Sequence, residues 1–284
     1  MTDGLRMCES HLRRLTAAAA QTGGAMWPSV VDVRTGRMPG GAPVPRRVYR
    51  LIGAPRGSTL YWDQPLLVAA FGLSRASGDP AYAQAADRYV AAFLEHCVAA
   101  NGMFRWGNHQ YYDVLERKVV EFHEGYHELR PITPAWEVFW RLDPQRTDAY
   151  IRRMAARHLY DPARGGFNRH DDGRKGHAFI EAGGILCESL AWLAAKAGDK
   201  SLSETALRIA RYSFDARNRD TGLVPNEPDT GRWDAKVCTS EIGLWANCLL
   251  RAAAFADTGA LVEMARDAIR AYLIHACDQE TNGY

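Results

Sequence analysis

The sequence predicts an all-α fold, an α/α toroid built from helical hairpins, and three observations carry that expectation. Similar turns recur about every 60 residues, a period that signals a stacked or closed array: Asn101-Gly102, Gly165-Gly166, Thr221-Gly222 and Asn282-Gly283. A second turn type alternates with them, at Gly78-Asp79-Pro80, Leu142-Asp143-Pro144, Gly198-Asp199-Lys200 and Ala256-Asp257-Thr258. Each of these has an apolar run before it and an amphipathic stretch after it, with apolar residues at three- and four-residue spacing.

Taken in order, Met1 to Gln21 reads as a helix. Trp27 to Thr59, rich in Pro, Gly and Arg, reads as a long irregular arm. Leu66 to Leu73 and Tyr82 to Leu94 make the first hairpin; Ile185 to Ala195 and Leu202 to Tyr212 belong to a later one. The first helix of each pair is more apolar and is expected to be inner; the second is more charged and is expected to be outer. Strand signals are weak. The spacing allows about four hairpins, fewer than the six or seven of a closed ring. The last N-G turn comes at the final residues, so a single domain over 1–284 with an incomplete ring is expected.

Composition excludes several function classes. Hydrophobic residues make up 47% and charged residues 24% of the 284, an ordinary globular balance. A net charge of +2 with scattered basic residues gives no electrostatic case for nucleic acid or a membrane surface. No apolar run reaches the roughly 18–20 residues of a membrane span. Cys8, Cys97, Cys187, Cys238, Cys248 and Cys277 form no C-x-x-C pair, which argues against cysteine-based zinc or redox sites. With no secretory signal in the opening residues, a reducing, cytoplasmic setting is the expectation, or a periplasmic one if the N-terminus is incomplete. Oligomeric state has no signal in the sequence.

Three short strings carry the chemistry: G-N-H-Q-Y-Y-D (Gly107 to Asp113), Y-H-E-L-R (Tyr126 to Arg130) and F-N-R-H-D (Phe167 to Asp171). They offer His109, His170, Glu128 and Arg169 beside aromatic residues. Two imidazoles and one carboxylate suit a divalent transition metal with open positions. A neighbouring fixed cation suits an anionic substrate such as a sugar acid. Tyr111, Tyr112 and Trp106 read equally as packing or as a sugar-stacking platform. Arg130 reads equally as a uronate-carboxylate ligand or as a solvated helix-end charge.

These strings resemble those of polysaccharide lyase family 2, the pectate and exopolygalacturonate lyases with an α/α barrel. The resemblance runs from about Trp27 to Gly222. It includes Ser58 to Asp79 (first barrel helix and G-D turn), Tyr126 to Pro144 (H-E-L segment and following helix) and Ile180 to Asp199 (the A-G helix). The resemblance implies a divalent metal, usually manganese, on His109, Glu128 and His170, with Arg169 as Brønsted base. It also implies a 4-linked uronate oligosaccharide or polysaccharide as substrate, cleaved by β-elimination. Two departures leave the substrate open: the segment between Asp171 and Ile180 is short, and the last third of the barrel is missing.

Free guanidinium stays protonated, so Arg169 is an awkward base; as a clamp only, it would leave that task to Tyr111, Tyr112 or His127. His123 to His127 also reads H-E-G-Y-H, the pattern of zinc peptidases. Gly125, Pro131 and Pro134 weaken the helix that such a site needs, so His127 is expected to orient the metal site instead. Other readings are an unsaturated uronyl hydrolase or sugar epimerase on a similar toroid, or an inactive scaffold.

Overall fold

The structure, a computed structural model, describes residues 3–38, 56–106, 110–121, 126–130, 132–173, 179–228, 238–256, 258–276 and 280. The chain divides into two compact units: residues 1–125 with 134–147, and residues 126–133 with 148–284.

In the first unit, α1 (Asp3–Gln21) packs on α2 (Leu60–Ser77), α2 on α3 (Ala81–His96), and α3 on α4 (Trp136–Leu142). A small antiparallel sheet runs β1 (Gly57–Ser58), β2 (Gln110–Asp113), β3 (Lys118–Glu121), with Tyr111 opposite Val120 and Tyr112 opposite Val119. Helix α5 (Pro144–His158) begins in this unit and continues into the second. The second unit adds the hairpin β4 (Leu159–Asp161) and β5 (Gly166–Phe167). After it come α6 (Ile180–Ala197), α7 (Lys200–Phe214), α8 (Thr239–Ala253) and α9 (Gly259–His275). Helix α6 packs against α7 and α8, and α8 against α9.

The four expected helix pairs follow one another in the chain, and α2/α3, α6/α7 and α8/α9 pack as hairpins, while α4 and α5 flank the Leu142-Asp143-Pro144 turn. The recurring aspartate of the second turn type has a local cause. Helix N-termini expose N–H groups without partners, which a short acidic side chain can accept. Asp79 accepts from Ala81 N (2.9 Å), Asp143 from Arg146 N (2.8 Å) and Asp199 from Ser201 N (3.1 Å). At the fourth turn Asp257 lies outside the described residues, and Thr258 accepts from Ala260 N (3.3 Å). Asn282-Gly283 lies outside them too.

Two expectations need correcting. Helix α6 is buried along Ile180–Ala194, as an inner helix should be. Helix α2, also expected to be inner, leaves Trp62 46% and Val68 52% exposed. The G-N-H-Q-Y-Y-D string, where strand signals were weak, ends in strand β2; its four residues are too few for alternation to show in sequence. The arm from Trp27 has no helix or strand over 27–38, and 39–55 lies outside the described residues.

Close packing fixes the β4–β5 hairpin. Gly165 has φ +83°, and a Cβ there would stand 2.4 Å from the backbone oxygen of Arg208 on α7. Gly165→Ala is therefore expected to destabilise the protein by at least about 2 kcal/mol, read as a lower urea midpoint at unchanged m-value. Gly183 makes the matching seat on α6, where a Cβ would meet the Phe167 ring at 2.4 Å. The residues that follow Phe167 are thereby held against the start of α6.

In the first unit, Asp63 is buried, and its Oδ2 accepts from Tyr89 Oη (2.7 Å), Ser58 Oγ (3.0 Å) and Thr59 N (3.1 Å). Burial pushes its carboxyl up to about 6, against those hydrogen bonds. Unfolded, it loses its proton near pH 3.8; folded, only near 6. Between these values the native state holds a proton that the unfolded state lacks, so stability falls as pH rises, by up to about 3 kcal/mol. Asp63→Asn is expected to flatten stability over that window, measured by urea unfolding from pH 4 to 7. An unchanged slope would place the titration on another group.

Candidate functional site

The site forms in the second unit, where Tyr126 to Arg130 runs beside Asn168 to Asp171. Glu128 and His170 face each other across an antiparallel bridge. Leu129 N donates to Arg169 O (2.9 Å) and Asp171 N to His127 O (3.0 Å). Below the bridge, Asn168 N donates to His158 O (2.8 Å), so the pairing of the β4–β5 hairpin carries on into it. Two strings 42 residues apart are thus brought side by side by backbone hydrogen bonding.

Glu128 is the hub, with its side chain 5% exposed. Its Oε1 accepts from Arg130 Nη1 and from Arg169 Nη2, each at 2.8 Å, and stands 3.3 Å from His170 Nε2. Arg130, two residues from Glu128, shares its face of the extended segment. Its side chain is 9% exposed, which corrects the reading of a solvated helix-end charge. Tyr126 leans on the His170 ring, centroids 4.8 Å apart.

A relay of rings supports the bridge from beneath. His158 Nδ1 lies 2.8 Å from Asn168 O, which can only accept, so that nitrogen carries the proton. His158 Nε2 then accepts from His127 Nδ1 (2.8 Å), and His127 Nε2 accepts from Tyr150 Oη (3.3 Å). Burial disfavours a charge on either imidazole. Burial holds His127 well below its usual range, and burial lowers His158 to about 4. Asp171 ties the layer together: its carboxylate accepts from His127 N and pairs with Arg157.

This relay bears on the peptidase pattern. Residues 126–130 are extended rather than helical, and the Nε2 lone pair of His127 is directed at Tyr150. His123 and Glu124 lie outside the described residues, as does His109, the expected third metal ligand. Trp106, Tyr111 and Tyr112 lie in the first unit, 3%, 7% and 7% exposed; Tyr112 stacks on His96 at 5.3 Å and Trp106 stands 6.4 Å from Phe104.

Two side chains that sequence reasoning missed complete the surroundings of Arg169. Phe179 lies under its guanidinium, 4.6 Å from Cζ to ring centroid. Glu181 Oε1 stands 3.5 Å from its Nη1. The only sequence signal for Glu181 is a carboxylate in the first turn of the most apolar helix. Burial pushes that carboxyl up to about 7, against the pull of Arg169.

The donor set can be tested against a divalent ion. Donors about 2.1 Å from a shared ion and roughly 90–110° apart stand ~3.0–3.4 Å from each other. The 3.3 Å between Glu128 Oε1 and His170 Nε2 falls in that range. An imidazole nitrogen and a carboxylate oxygen are the donor types that such an ion takes. Among the described residues no group of three such side chains converges, so the fit rests on these two with His109 outside.

Comparison with known proteins places these observations. Residues 57–178 match the model of the family described as periplasmic pectate lyase, which bears out the resemblance to polysaccharide lyase family 2 over that stretch. That family's stated compartment differs from the cytoplasmic expectation; among the described residues no helix is long and apolar enough to cross a membrane. Among solved structures, a D-mannose isomerase is similar at 13% identity and a TM-score of 0.59, over 95% of this chain and 72% of that one. A sugar epimerase from a ruminal bacterium gives 16% and 0.52, over 81% and 64%. An unsaturated glucuronyl hydrolase specific for heparin gives 14% and 0.53, over 94% and 83%. The chain therefore spans less than two thirds of the epimerase. These likenesses show the fold, which is the α/α-toroid class expected from the sequence.

Proposed function

We propose that this chain, with the pectate lyase family match over residues 57–178, is a metal-dependent lyase that cleaves a 4-linked uronate glycan by β-elimination. The observation that carries the reading is the Glu128–His170 bridge, with donor atoms 3.3 Å apart and Arg169 on the same carboxylate oxygen. Glu128 and His170, with His109, would hold the divalent ion, and manganese is the ion expected from the family. When bound, it would supply Lewis acidity toward the uronate C6 carboxylate, making the C5 proton more acidic.

In the elimination the C5–H bond breaks, its electron pair forms the C4–C5 double bond, and the C4–O4 bond breaks with a proton ending on O4. Arg169 is the chain's group for C5, as base or as the cation that stabilises the developing charge. Its side chain is only 15% exposed and lies on Phe179, which excludes water from one face. Arg130, buried on Glu128, pairs with that carboxylate at 2.8 Å. The His127–His158–Tyr150 relay holds the backbone that carries Glu128.

The test is ultraviolet absorbance of the unsaturated uronate product on polygalacturonate, with manganese and then with a chelator. Manganese-dependent growth of absorbance is the expected result. A hydrolase, an epimerase or a peptidase forms no such double bond, so a flat trace beside reducing-end release or sugar inversion would replace the lyase reading.

A further inference from the structure

Arg169 and Arg130 both lean on one oxygen, Glu128 Oε1. A carboxylate oxygen that ligates a dication gives electron density to it and grips a guanidinium less firmly. A second anchor is needed to keep Arg169 in place once a cation engages Glu128. Glu181 meets that need. It is 2% exposed, it sits in the first turn of α6, and its Oε1 reaches Arg169 Nη1 at 3.5 Å while Glu128 holds Nη2. Its Oε2 is buried with no hydrogen-bond partner among the described residues. Such an arrangement is costly and holds no advantage for packing alone.

The backbone before Glu181 carries a second mark. Phe179 sits at φ +46°, a region that bulky L-residues seldom occupy. Strain of this kind costs about 1–3 kcal/mol and persists only where the surroundings enforce it. Here Ile180 N donates to Asn226 O (2.9 Å) and Oδ1 (3.1 Å), which pins the turn. The result places the Phe179 ring 4.6 Å from Arg169 Cζ. The guanidinium thus lies over a ring, with a carboxylate at each of its Nη atoms.

We propose that Glu181 is the positioning residue for Arg169, keeping the guanidinium beside Glu128 and His170 when a cation occupies the Glu128 carboxylate. The consequence for turnover rests on the lyase reading; the grip itself does not. Arg169 and Arg130 favour the ionised Glu181, while burial and Glu241 oppose it. Its grip on Arg169 is therefore gained as pH rises through about 7.

The test compares Glu181→Gln, which removes the charge at nearly constant shape, with Glu181→Asp, which keeps it on a shorter arm. Nitrogen-15 spectra of the arginine side chains, with and without zinc as the diamagnetic divalent ion that takes the same nitrogen and oxygen donors, report how freely the Arg169 guanidinium rotates. In the parent its Nη signals should stay separate with zinc bound; in Glu181→Gln they should merge. On polygalacturonate, Glu181→Gln should lower kcat by about 10- to 100-fold, with KM and manganese affinity little changed. The limb of the pH profile near 7 should vanish, and Glu181→Asp should restore part of kcat. Separate Arg169 signals in zinc-bound Glu181→Gln would overturn the proposal. So would equal losses in both variants that track a fall in thermal stability. An inactive parent would fail the lyase reading alone, because the nitrogen-15 comparison still decides the grip.

Discussion

Replacing Arg169 by alanine is expected to lower kcat on a uronate polymer by at least about 100-fold, the low end of a general base's contribution. Manganese affinity, measured by calorimetry, should be retained and should rise. Arg169 Nη2 lies 2.8 Å from Glu128 Oε1, so the guanidinium competes with any cation for that oxygen. Arg169→Lys keeps the charge but loses the planar fork that spans Glu128 and Glu181. It should stay well below the parent in kcat. Near-full activity in Arg169→Ala would move the base to Tyr111, Tyr112 or His127, the groups considered from sequence. The placement of His127 makes it the least suitable of these, since both its ring nitrogens are engaged, one by His158 and one by Tyr150.

The second large effect is on Glu128. Glu128→Ala should abolish calorimetric manganese binding, since it removes a ligand rather than a neighbour of one. It should also cost stability. Arg130 and Arg169 are buried on Glu128, and removing the carboxylate from a buried charge cluster weakens the compensation of both cations, at up to about 3–5 kcal/mol. The double variant Glu128→Ala with Arg130→Met should therefore recover part of the stability but none of the metal binding. A single variant as stable as the parent would show that the other interactions of Arg130 and Arg169 suffice, and binding that survived in it would remove Glu128 from the ligand set.

What the sequence by itself determined is what local chemistry determines. Turn spacing and apolar periodicity are read within a dozen residues, and they were enough for four successive helix pairs and their order. The aspartate in each second-type turn is local as well: Asp79, Asp143 and Asp199 accept from N–H groups two or three residues ahead. Glu128, Arg169 and His170 were legible because their strings carry a family pattern, not because anything local shows that they meet.

The rest depended on packing between distant segments. The Glu128–His170 bridge joins residues far apart in sequence by backbone bonds that any side chains could make. The pairing of Arg130 with Glu128 removed the solvated one of two equal readings, because burial at that position is set by elements elsewhere. The exposed apolar side chains of α2 show the same limit, since composition ranks a helix as inner but only its neighbours cover it. Glu181 was the least visible of all. A lone carboxylate in an apolar helix predicts nothing about its partner. Gly183 lets Phe167 seat on α6 and so brings Arg169 to it, and that approach is a property of the tertiary structure alone.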